Sequence, residues 1–248
     1  MREGEVNLDR RFKRQGKRLV AAVLLFSLAA PASGTWAQSG GDGGNSGPIS
    51  LPPPRVVGPL SLEECIHRRT SVRSFLKLSL RLDEISQLLW AAGGMTVDGI
   101  TGPSRSSPSA GGIYPLSIYL VAGRVEGLRD GLYRYAWRDH TLELRKPGDL
   151  RDSLARAALS QMFIAEAPAT IVIAGDYSKT IRKYGNRGKD RFVPMDAGHA
   201  AENLCLQAVA IDLGTVTVGA FDDRAVKRVL DLTEEEPLYL LPFGRPKP

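Results

Sequence analysis

The sequence predicts one folded domain of the α+β class, and three patterns in it support this. Helical and strand patterns alternate in the second half of the chain, while a β-hairpin pattern interrupts the first half. Residues 169–174 form an apolar run without polar alternation, which is typical of a strand covered on both faces. Residues 196–213 are apolar almost all round and precede Gly214, so they predict a buried helix.

Size and charge restrict the class of protein further. The chain has 248 residues, of which 43% are hydrophobic, enough for one substantial core. Its formal net charge is +6, but residues 1–18 alone hold seven basic and three acidic side chains. The remainder is only mildly basic, and we therefore predict no nucleic-acid partner.

Residues 1–37 have the pattern of an export signal. Basic residues precede the apolar run 19–30, and small residues around Ala37 form a cleavage site before Gln38. This run is shorter than the roughly 20 residues of a membrane span, which favours cleavage over the alternative of an uncleaved anchor. We predict export to the periplasm. Arg10-Arg11 before Phe12 resembles a twin-arginine signal, and the choice of export route stays open.

Residues 38–58 are predicted to be a flexible Gly-rich and Pro-rich linker without a core, so that the folded domain spans residues 59–248. The two cysteines, Cys65 and Cys205, both lie in helical patterns. Because the chain has no CxxC pair, it predicts neither a disulfide framework nor a zinc site.

The first half of the domain contains two predicted helices and a hairpin. Ser61 to Glu64 form a capping box, which starts a helix that ends near Arg69. A second helix covers residues 82–92 and stops at Gly93. We predict a polar loop at residues 95–107, followed by strands with these bounds: 118–122, 131–135 and 141–144.

The second half adds capped helices and further strands around the elements described first. Asp149 is predicted to cap a helix that ends near Leu159, and Asp222 to cap another that ends at Leu230. Strands are predicted at residues 215–218 and 237–243.

Motif searches exclude several enzyme classes. The chain has no GxGxxG after a strand, no GxxxxGK[ST] and no HExxH, which excludes nicotinamide-fold, P-loop and zinc-protease assignments. No GxSxG nucleophile motif accompanies His140 in its turn or His199 on the predicted buried helix, where we expect a hydrogen-bonded core histidine. No metal site is predicted.

Two segments carry candidate binding residues. The segment HRRTSVRSF, residues 67–75, places guanidinium and hydroxyl donors close together, and both groups can bind phosphate oxygens. The segment SSPSAGGIYP, residues 106–115, is a Pro/Ser/Gly turn whose backbone can approach a flat ligand closely.

At this spacing the two segments resemble the opening of the nitroreductase fold of flavin-dependent oxidoreductases, and the resemblance covers residues 51–246. It implies a three-layer α+β fold with a central mixed, mainly antiparallel sheet flanked by helices, an FMN cofactor, and a homodimer with the long helix at its interface. The implied FMN-binding residues are Arg69, Thr70, Ser71 and Arg73 for phosphate, ribityl and pyrimidine groups, Pro108, Ser109, Ala110 and Gly111 along the ring, Gly219 and Ala220 at its N5/O4 edge, and Arg245 as a second phosphate ligand. For Arg245 a frayed basic chain end is an equal alternative.

Two further features resemble one branch of that family. Gly112-Ile113-Tyr114-Pro115 stands where other nitroreductases carry Asn-x-Gln-Pro, and it is similar to the SagB-type branch, which is related to azoline dehydrogenases. Lys183-Tyr184 resembles the catalytic Lys-Tyr pair of those enzymes, in which a base removes a proton while hydride leaves to the flavin. The alternative for this segment is a solvated basic helix face.

The predicted function is therefore an FMN-dependent dehydrogenase of the SagB type that acts on azoline or related C–H or C–N bonds of a small molecule or peptide. Two alternatives stay open: an NAD(P)H-dependent nitro or quinone reductase, and a flavin-binding protein without turnover. The sequence does not specify the natural substrate, the direction of the reaction or the electron partner. Export argues against membership of a cytoplasmic peptide-modifying complex.

Overall fold

The computed structural model of the chain describes residues 47–99 and 102–248. The predicted export signal and residues 38–46 of the predicted linker lie outside these ranges. Within them, no helix combines the length and the hydrophobicity that crossing a membrane would require.

A seven-stranded sheet forms the centre of the fold, and all pairings between its strands are antiparallel. Its strands are β1 (Ile49–Ser50), β4 (Leu116–Ala122), β5 (Gly131–Ala136), β6 (Thr141–Pro147), β7 (Ala169–Gly175), β8 (Gly214–Thr215) and β9 (Glu236–Gly244). Their spatial order is β1-β6-β5-β4-β7-β9-β8. A separate hairpin pairs β2 (Met95–Gly99) with β3 (Gly102–Arg105).

Within the described residues, seven α-helices, one 3₁₀ turn and one π-helix accompany the strands. The α-helices are α1 (Leu62–Arg68), α2 (Leu82–Gly93), α3 (Arg151–Ala157), α4 (Phe163–Glu166), α5 (Tyr177–Tyr184), α6 (Val193–Ala210) and α7 (Asp223–Leu230). A 3₁₀ turn covers Ala110–Gly112, and a π-helix at Gly188–Phe192 directly precedes α6.

The sheet is covered on both faces, which makes three layers. Ile171 and Ile173 of β7 belong to one core cluster together with residues of α2 and α6. Val172 and Ala174 point the other way and belong to a second cluster with residues of α3, α4 and α7. This confirms the α+β class, the three layers and the buried character of residues 169–174.

Several predicted elements have different bounds. The predicted loop 95–107 contains the β2–β3 hairpin, which is tied to α2 because Trp90 Nε1 donates to the Met95 carbonyl at 3.0 Å. Helix α6 begins three residues before Asp196 and ends at Ala210. The predicted strand 215–218 is reduced to β8 and a bridge between Val218 and Leu240.

The predicted absence of a core in residues 38–58 is wrong for the part that the structure describes. Strand β1 pairs with β6, and Leu51 is buried against the main core. The backbone of Arg55 is held by the side-chain amide of Gln87, through bonds of 2.8 and 3.0 Å. The apolar Leu51 is buried at the edge of the sheet, and the composition of the segment alone did not indicate this.

Candidate functional site

Helix α6 connects the two segments that the sequence singles out. The Ser/Gly turn contacts the first turns of α6, and the arginine-rich segment lies beside its second half and β8. The two contact points, Asp196 and Cys205, are nine positions apart, which corresponds to about 14 Å along a helix.

A buried carboxylate holds the Ser/Gly turn in place. Ser109 Oγ donates to Asp196 Oδ2 at 2.6 Å, and the Ala110 amide donates to Asp196 Oδ1 at 3.3 Å. Ser109 Oγ also accepts from the Tyr114 amide at 2.9 Å. Asp196 is only 3% exposed, so these donors compensate a carboxylate that would otherwise be costly to bury. Sequence reasoning placed Asp196 only at the start of a helix and missed this contact.

Gly111 is the point where this turn meets the predicted catalytic pair. Its φ is +62°, a left-handed conformation that favours glycine. A Cβ at Gly111 would overlap Tyr184 Oη and lie 2.6 Å from Lys183 Nζ. Lys183 Nζ also donates to the Gly111 carbonyl at 3.5 Å. Lys183 and Tyr184 therefore lie together at the turn predicted to line the flavin ring.

A tight helical reversal positions these two side chains. Gly185, with φ +59°, ends α5 directly after Tyr184. Gly188 then packs on the backbone of Thr180, where a Cβ would lie 2.7 Å from the Thr180 carbonyl carbon. The Tyr184 ring meets the Phe192 ring edge-on, with centroids 4.8 Å apart. This packing restrains the Tyr184 ring from its outer side.

A buried arginine supports the turn from within the fold. Arg105 is 7% exposed and its Nε donates to the Gly93 carbonyl at 2.6 Å. Its guanidinium lies 5.0 Å from the Trp137 ring centroid and 5.4 Å from that of Tyr114. Burial lowers the pKa of Arg105 to about 10. Arg105, which sequence reasoning did not select, also lines a cavity of about 10 Å³ together with Ser109 and Asp196.

The arginine-rich segment is anchored by its backbone and leaves its side chains accessible. The Val72 amide donates to the Thr215 carbonyl at 2.9 Å, and Ser71 forms a parallel bridge with Thr215. Thr70, Ser71 and Arg73 are exposed and Arg69 is half-buried. Among the residues that the structure describes, neither Arg69 nor Arg73 forms an ion pair.

Thr70 and Val72 of the arginine-rich segment line a surface cavity together with Cys205 and Val209 of α6. Burial raises the pKa of the Cys205 thiol, and the positive charge of Arg69 opposes that rise. The predicted phosphate residues therefore lie next to the second half of the helix whose first half holds the Ser/Gly turn.

Arg245 is anchored to the end of α6. Its Nη1 donates to the carbonyls of Ile211 and Asp212 at 2.9 and 3.0 Å, and its Nη2 forms an ion pair with the buried Glu84. The following Lys247 amide donates to the Ser74 carbonyl at 3.0 Å. This end of the chain is fixed in place, which argues against a frayed tail, and the phosphate role of Arg245 stays a prediction.

Gly219 and Ala220 form an exposed loop that is fixed on both sides. Val218 and Leu240 exchange backbone hydrogen bonds of 2.9 and 3.0 Å just before it. The Ala220 carbonyl accepts from Gln161 Nε2 at 2.8 Å, and Asp222 caps α7 immediately after it. The exposed amides that the flavin-edge prediction requires are thus carried by a supported loop.

A second polar network surrounds His140. It contains residue types that also occur in catalytic sites, but its role is structural. His140 Nδ1 lies 2.7 Å from Tyr135 Oη, and its Nε2 lies 2.7 Å from Ser86 Oγ and 3.0 Å from the Pro52 carbonyl. Since the Pro52 carbonyl can only accept, this arrangement fits a proton on Nε2. Burial lowers the pKa of His140. The network ties the β1 segment to α2 and the β5–β6 turn, whereas His199, expected in the core, is exposed.

Comparison with known proteins agrees with this architecture. The profile of the nitroreductase family matches residues 66–245. The chain belongs to the nitroreductase family. It is 40% identical over 202 residues to MJ1384 of Methanocaldococcus jannaschii, a protein whose name describes it as a nitroreductase, with 82% of this chain and 98% of that protein covered.

A second relative belongs to a toxin operon. The trifolitoxin operon protein TfxC of Rhizobium leguminosarum bv. trifolii is 24% identical over 204 residues. The match covers 77% of this chain and 57% of TfxC.

Solved structures show the same fold. A nitroreductase-type structure from Ralstonia eutropha has a TM-score of 0.70 at 30% identity, and the match covers 83% of this chain and 92% of that one. A chain in the Escherichia coli microcin synthetase McbBCD complex with truncated pro-MccB17 has a TM-score of 0.62 at 24% identity, covering 78% and 76%. The second likeness concerns the fold alone.

Proposed function

We propose that this nitroreductase-family oxidoreductase is an FMN-dependent dehydrogenase of the SagB type, which oxidises azoline or related C–H or C–N bonds in a small molecule or peptide. The observation that carries the proposal is the meeting of Lys183, Tyr184 and Gly111. A candidate proton-transfer pair lies against the turn to which the family resemblance assigns the flavin ring. The likeness to TfxC, a protein of a toxin operon, supports the same branch.

The residues on the two sides of α6 fit an FMN molecule. Arg69, Thr70, Ser71 and Arg73 supply accessible charged and hydroxyl donors for the phosphate and ribityl groups. Gly111 lets Lys183 and Tyr184 approach the turn predicted to line the ring, because a Cβ there would overlap Tyr184 Oη. When bound, FMN would supply the hydride-accepting chemistry.

The protein's own residues would provide positioning and proton transfer. Pro108, Ser109 and Ala110 would line the ring, and Asp196 fixes the last two of them. Lys183 would accept the proton from the substrate carbon, with Tyr184 beside it. Gly219 and Ala220 would direct amides at the N5/O4 edge, and Arg245, whose charge is paired with Glu84, would offer its remaining N–H donors as a second phosphate ligand.

A homodimer is part of the proposal. Leu62 and Ile66 of α1 are 60% and 57% exposed, and Leu206 and Val209 on the adjacent side of α6 are half-buried. An apolar surface of this kind favours association with a second copy. We assign no nucleic-acid partner and no metal to the protein.

An NAD(P)H-dependent nitro or quinone reductase is the second candidate. It is supported by the 40% identity to MJ1384, whose name describes it as a nitroreductase. A flavin-binding protein without turnover is a third candidate, since holding FMN requires none of the proton-transfer residues.

Purified full-length protein distinguishes these candidates. Oxidised bound flavin absorbs visible light, and reduction bleaches it. Bleaching by a thiazoline-containing peptide without NAD(P)H supports the dehydrogenase, and bleaching by NAD(P)H alone supports the reductase. A stable yellow protein that neither compound bleaches indicates flavin storage.

Export to the periplasm is proposed from the leader alone, with residues 1–37 removed and residues 38–58 connecting to the domain. The mature chain should then begin at Gln38. An intact-mass measurement of the exported fraction tests this, and a chain that still contains Met1 would contradict it.

A further inference from the structure

Helix α5 and the π-helix that follows it form an unusually cationic surface, which we call the basic hairpin (residues 177–192). Between residues 182 and 191 it carries five exposed cations and one carboxylate, Asp190. The five cations are Arg182, Lys183, Arg187, Lys189 and Arg191. None of the five forms an ion pair within the residues that the structure describes.

Three of these cations are held by aromatic rings. The Arg187 guanidinium lies 6.0 Å from the centroid of Phe192, and Lys189 Nζ lies 5.8 Å from that of Tyr177. Lys183 Nζ lies 5.4 Å from the ring centroid of Tyr184. A ring attracts a cation through its quadrupole and leaves the positive charge available to a ligand, whereas a carboxylate partner neutralises it.

Two cations on other surface helices are paired with carboxylates, whereas Arg224 and Arg228 of α7 are exposed and form no ion pair among the described residues. Arg68 of α1 pairs with Glu64, and Arg156 of α3 pairs with Asp152, both at the i,i+4 spacing that is ordinary for a solvated helix face. The basic hairpin has no such pairing for its five exposed cations, so a solvated face explains it less well.

The backbone of the basic hairpin is fixed. Gly188 packs on the Thr180 backbone without room for a Cβ, and Thr180 is fully buried. The second segment is a π-helix, a rare form that occurs frequently at functional sites. The backbone positions that carry the cations are therefore defined relative to α5.

The basic hairpin also borders the proposed flavin site, because Lys183 reaches the Gly111 carbonyl. Unpaired cations beside a cleft concentrate anions there, and Arg in particular binds carboxylate and phosphate groups. We propose that Arg182, Arg187, Lys189 and Arg191 of the basic hairpin bind an anionic group, a carboxylate or a phosphate, of the molecule that reacts at this site and orient that molecule toward Gly111, while Lys183 serves as the proton-transfer group. This inference rests on the proposed function and adds a substrate class to it.

The test compares two probes that differ in charge and hardly in shape, 4-nitrobenzoate and the neutral 4-nitrobenzamide. Their affinities are measured by calorimetry for FMN-loaded full-length protein, at low and at high salt. The test variant is Arg182→Gln/Arg187→Gln/Lys189→Gln, which leaves Lys183 in place. The control variant is Arg129→Gln/Arg145→Gln/Arg228→Gln, which removes three exposed cations from other elements and changes the net charge equally.

We expect the original protein to bind the anionic probe about tenfold more tightly than the neutral one at low salt, and the preference to decrease at high salt. The test variant should lose most of this preference and the control variant should keep it. The inference is overturned if the original protein prefers neither 4-nitrobenzoate over 4-nitrobenzamide nor, in the second comparison below, NADPH over reduced nicotinamide riboside. It is also overturned if both variants lose the preference equally, which would indicate net charge alone.

The anionic group has two sources, which a second comparison separates. NADPH carries phosphates, whereas reduced nicotinamide riboside offers the same hydride without them. A preference for NADPH that the test variant loses assigns the basic hairpin to the electron donor, and a preference confined to 4-nitrobenzoate assigns it to the other substrate. Because the calorimetric preference does not depend on turnover, it decides the inference even if the proposed dehydrogenase activity fails its own test.

Discussion

The two ends of α6 differ in how completely the protein satisfies its own polar groups. At the first end, the buried Asp196 accepts from Ser109 and Ala110, and the turn is complete without a ligand. At the second end, backbone hydrogen bonds hold the segment that contains Arg69 and Ser71, while the side-chain donors of these two residues stay accessible. The difference indicates a division of roles, because a preformed turn positions a ligand and unsatisfied donors bind its charge.

The largest effect is expected when the proposed phosphate-binding side chains at the second end are removed. The double variant Arg69→Ala/Ser71→Ala should weaken FMN binding by roughly 100-fold or more, because it removes a charge-assisted bond and a hydroxyl donor. The measurement is the flavin content of the purified protein, followed by an FMN titration. The matched control is Arg68→Ala/Ser74→Ala, since Arg68 is already paired with Glu64. Full flavin occupancy in the first variant would exclude the assignment.

A smaller effect should follow from removing the proton-transfer group beside the first end. Lys183→Ala is expected to keep its flavin and to slow azoline oxidation by about 100-fold, in the range of general acid–base catalysis. Single-turnover bleaching across a pH series measures it. Arg228→Ala, which removes an exposed cation of α7 outside the basic hairpin, serves as the control for a lost surface charge. Equal single-turnover rates in the Lys183 variant and the original protein would reject the catalytic role.

Loosening the first end should affect stability. Asp196→Asn removes the charge and one of the two oxygens that accept hydrogen bonds from Ser109 and Ala110. We expect the free energy of unfolding to fall by about 1–3 kcal/mol. Urea denaturation measures the fall, with Glu202→Gln, an exposed carboxylate on the same helix, as the control. The double variant Ser109→Ala/Asp196→Asn should lose less unfolding free energy than the two single variants lose together. If the losses simply add, the two side chains do not stabilise each other.

The smallest expected effect concerns the network around His140, which lies away from both ends of α6. Burial lowers the pKa of His140, so the unfolded chain takes up the proton first as the pH falls through about 6.5. The stability contribution is therefore present above that pH and is lost below it. His140→Gln should show a smaller loss of unfolding free energy between pH 7 and pH 5 than the original protein. The exposed His199→Gln is the control, and identical pH dependence in all three proteins would contradict the account.

Sequence reasoning identified the parts of the site that are visible as local patterns. The Pro/Ser/Gly turn and the cluster of arginines and hydroxyls were recognised because such compositions restrict backbone and charge within a few residues. The alternation and apolar runs likewise predicted the sheet and its two covered faces.

The features that sequence reasoning missed depend on contacts between distant positions. Asp196 lies 87 positions from Ser109, and its only local signal was an acidic residue at the start of a mainly apolar helix. Arg105 was read as part of a polar loop, because its partners Gly93, Tyr114 and Trp137 become visible only once the chain is folded. Arg245 was ambiguous for the same reason, since Glu84 and the end of α6 lie far from it in the sequence.

The central claim is that the second end of α6 binds the phosphate of FMN. A titration of flavin-free full-length protein with FMN and with riboflavin, which differ only in that phosphate, tests it most directly. The account predicts one FMN per chain and riboflavin binding that is weaker by about 100-fold or more. Equal affinities for the two flavins, or a folded protein that binds neither, would contradict it.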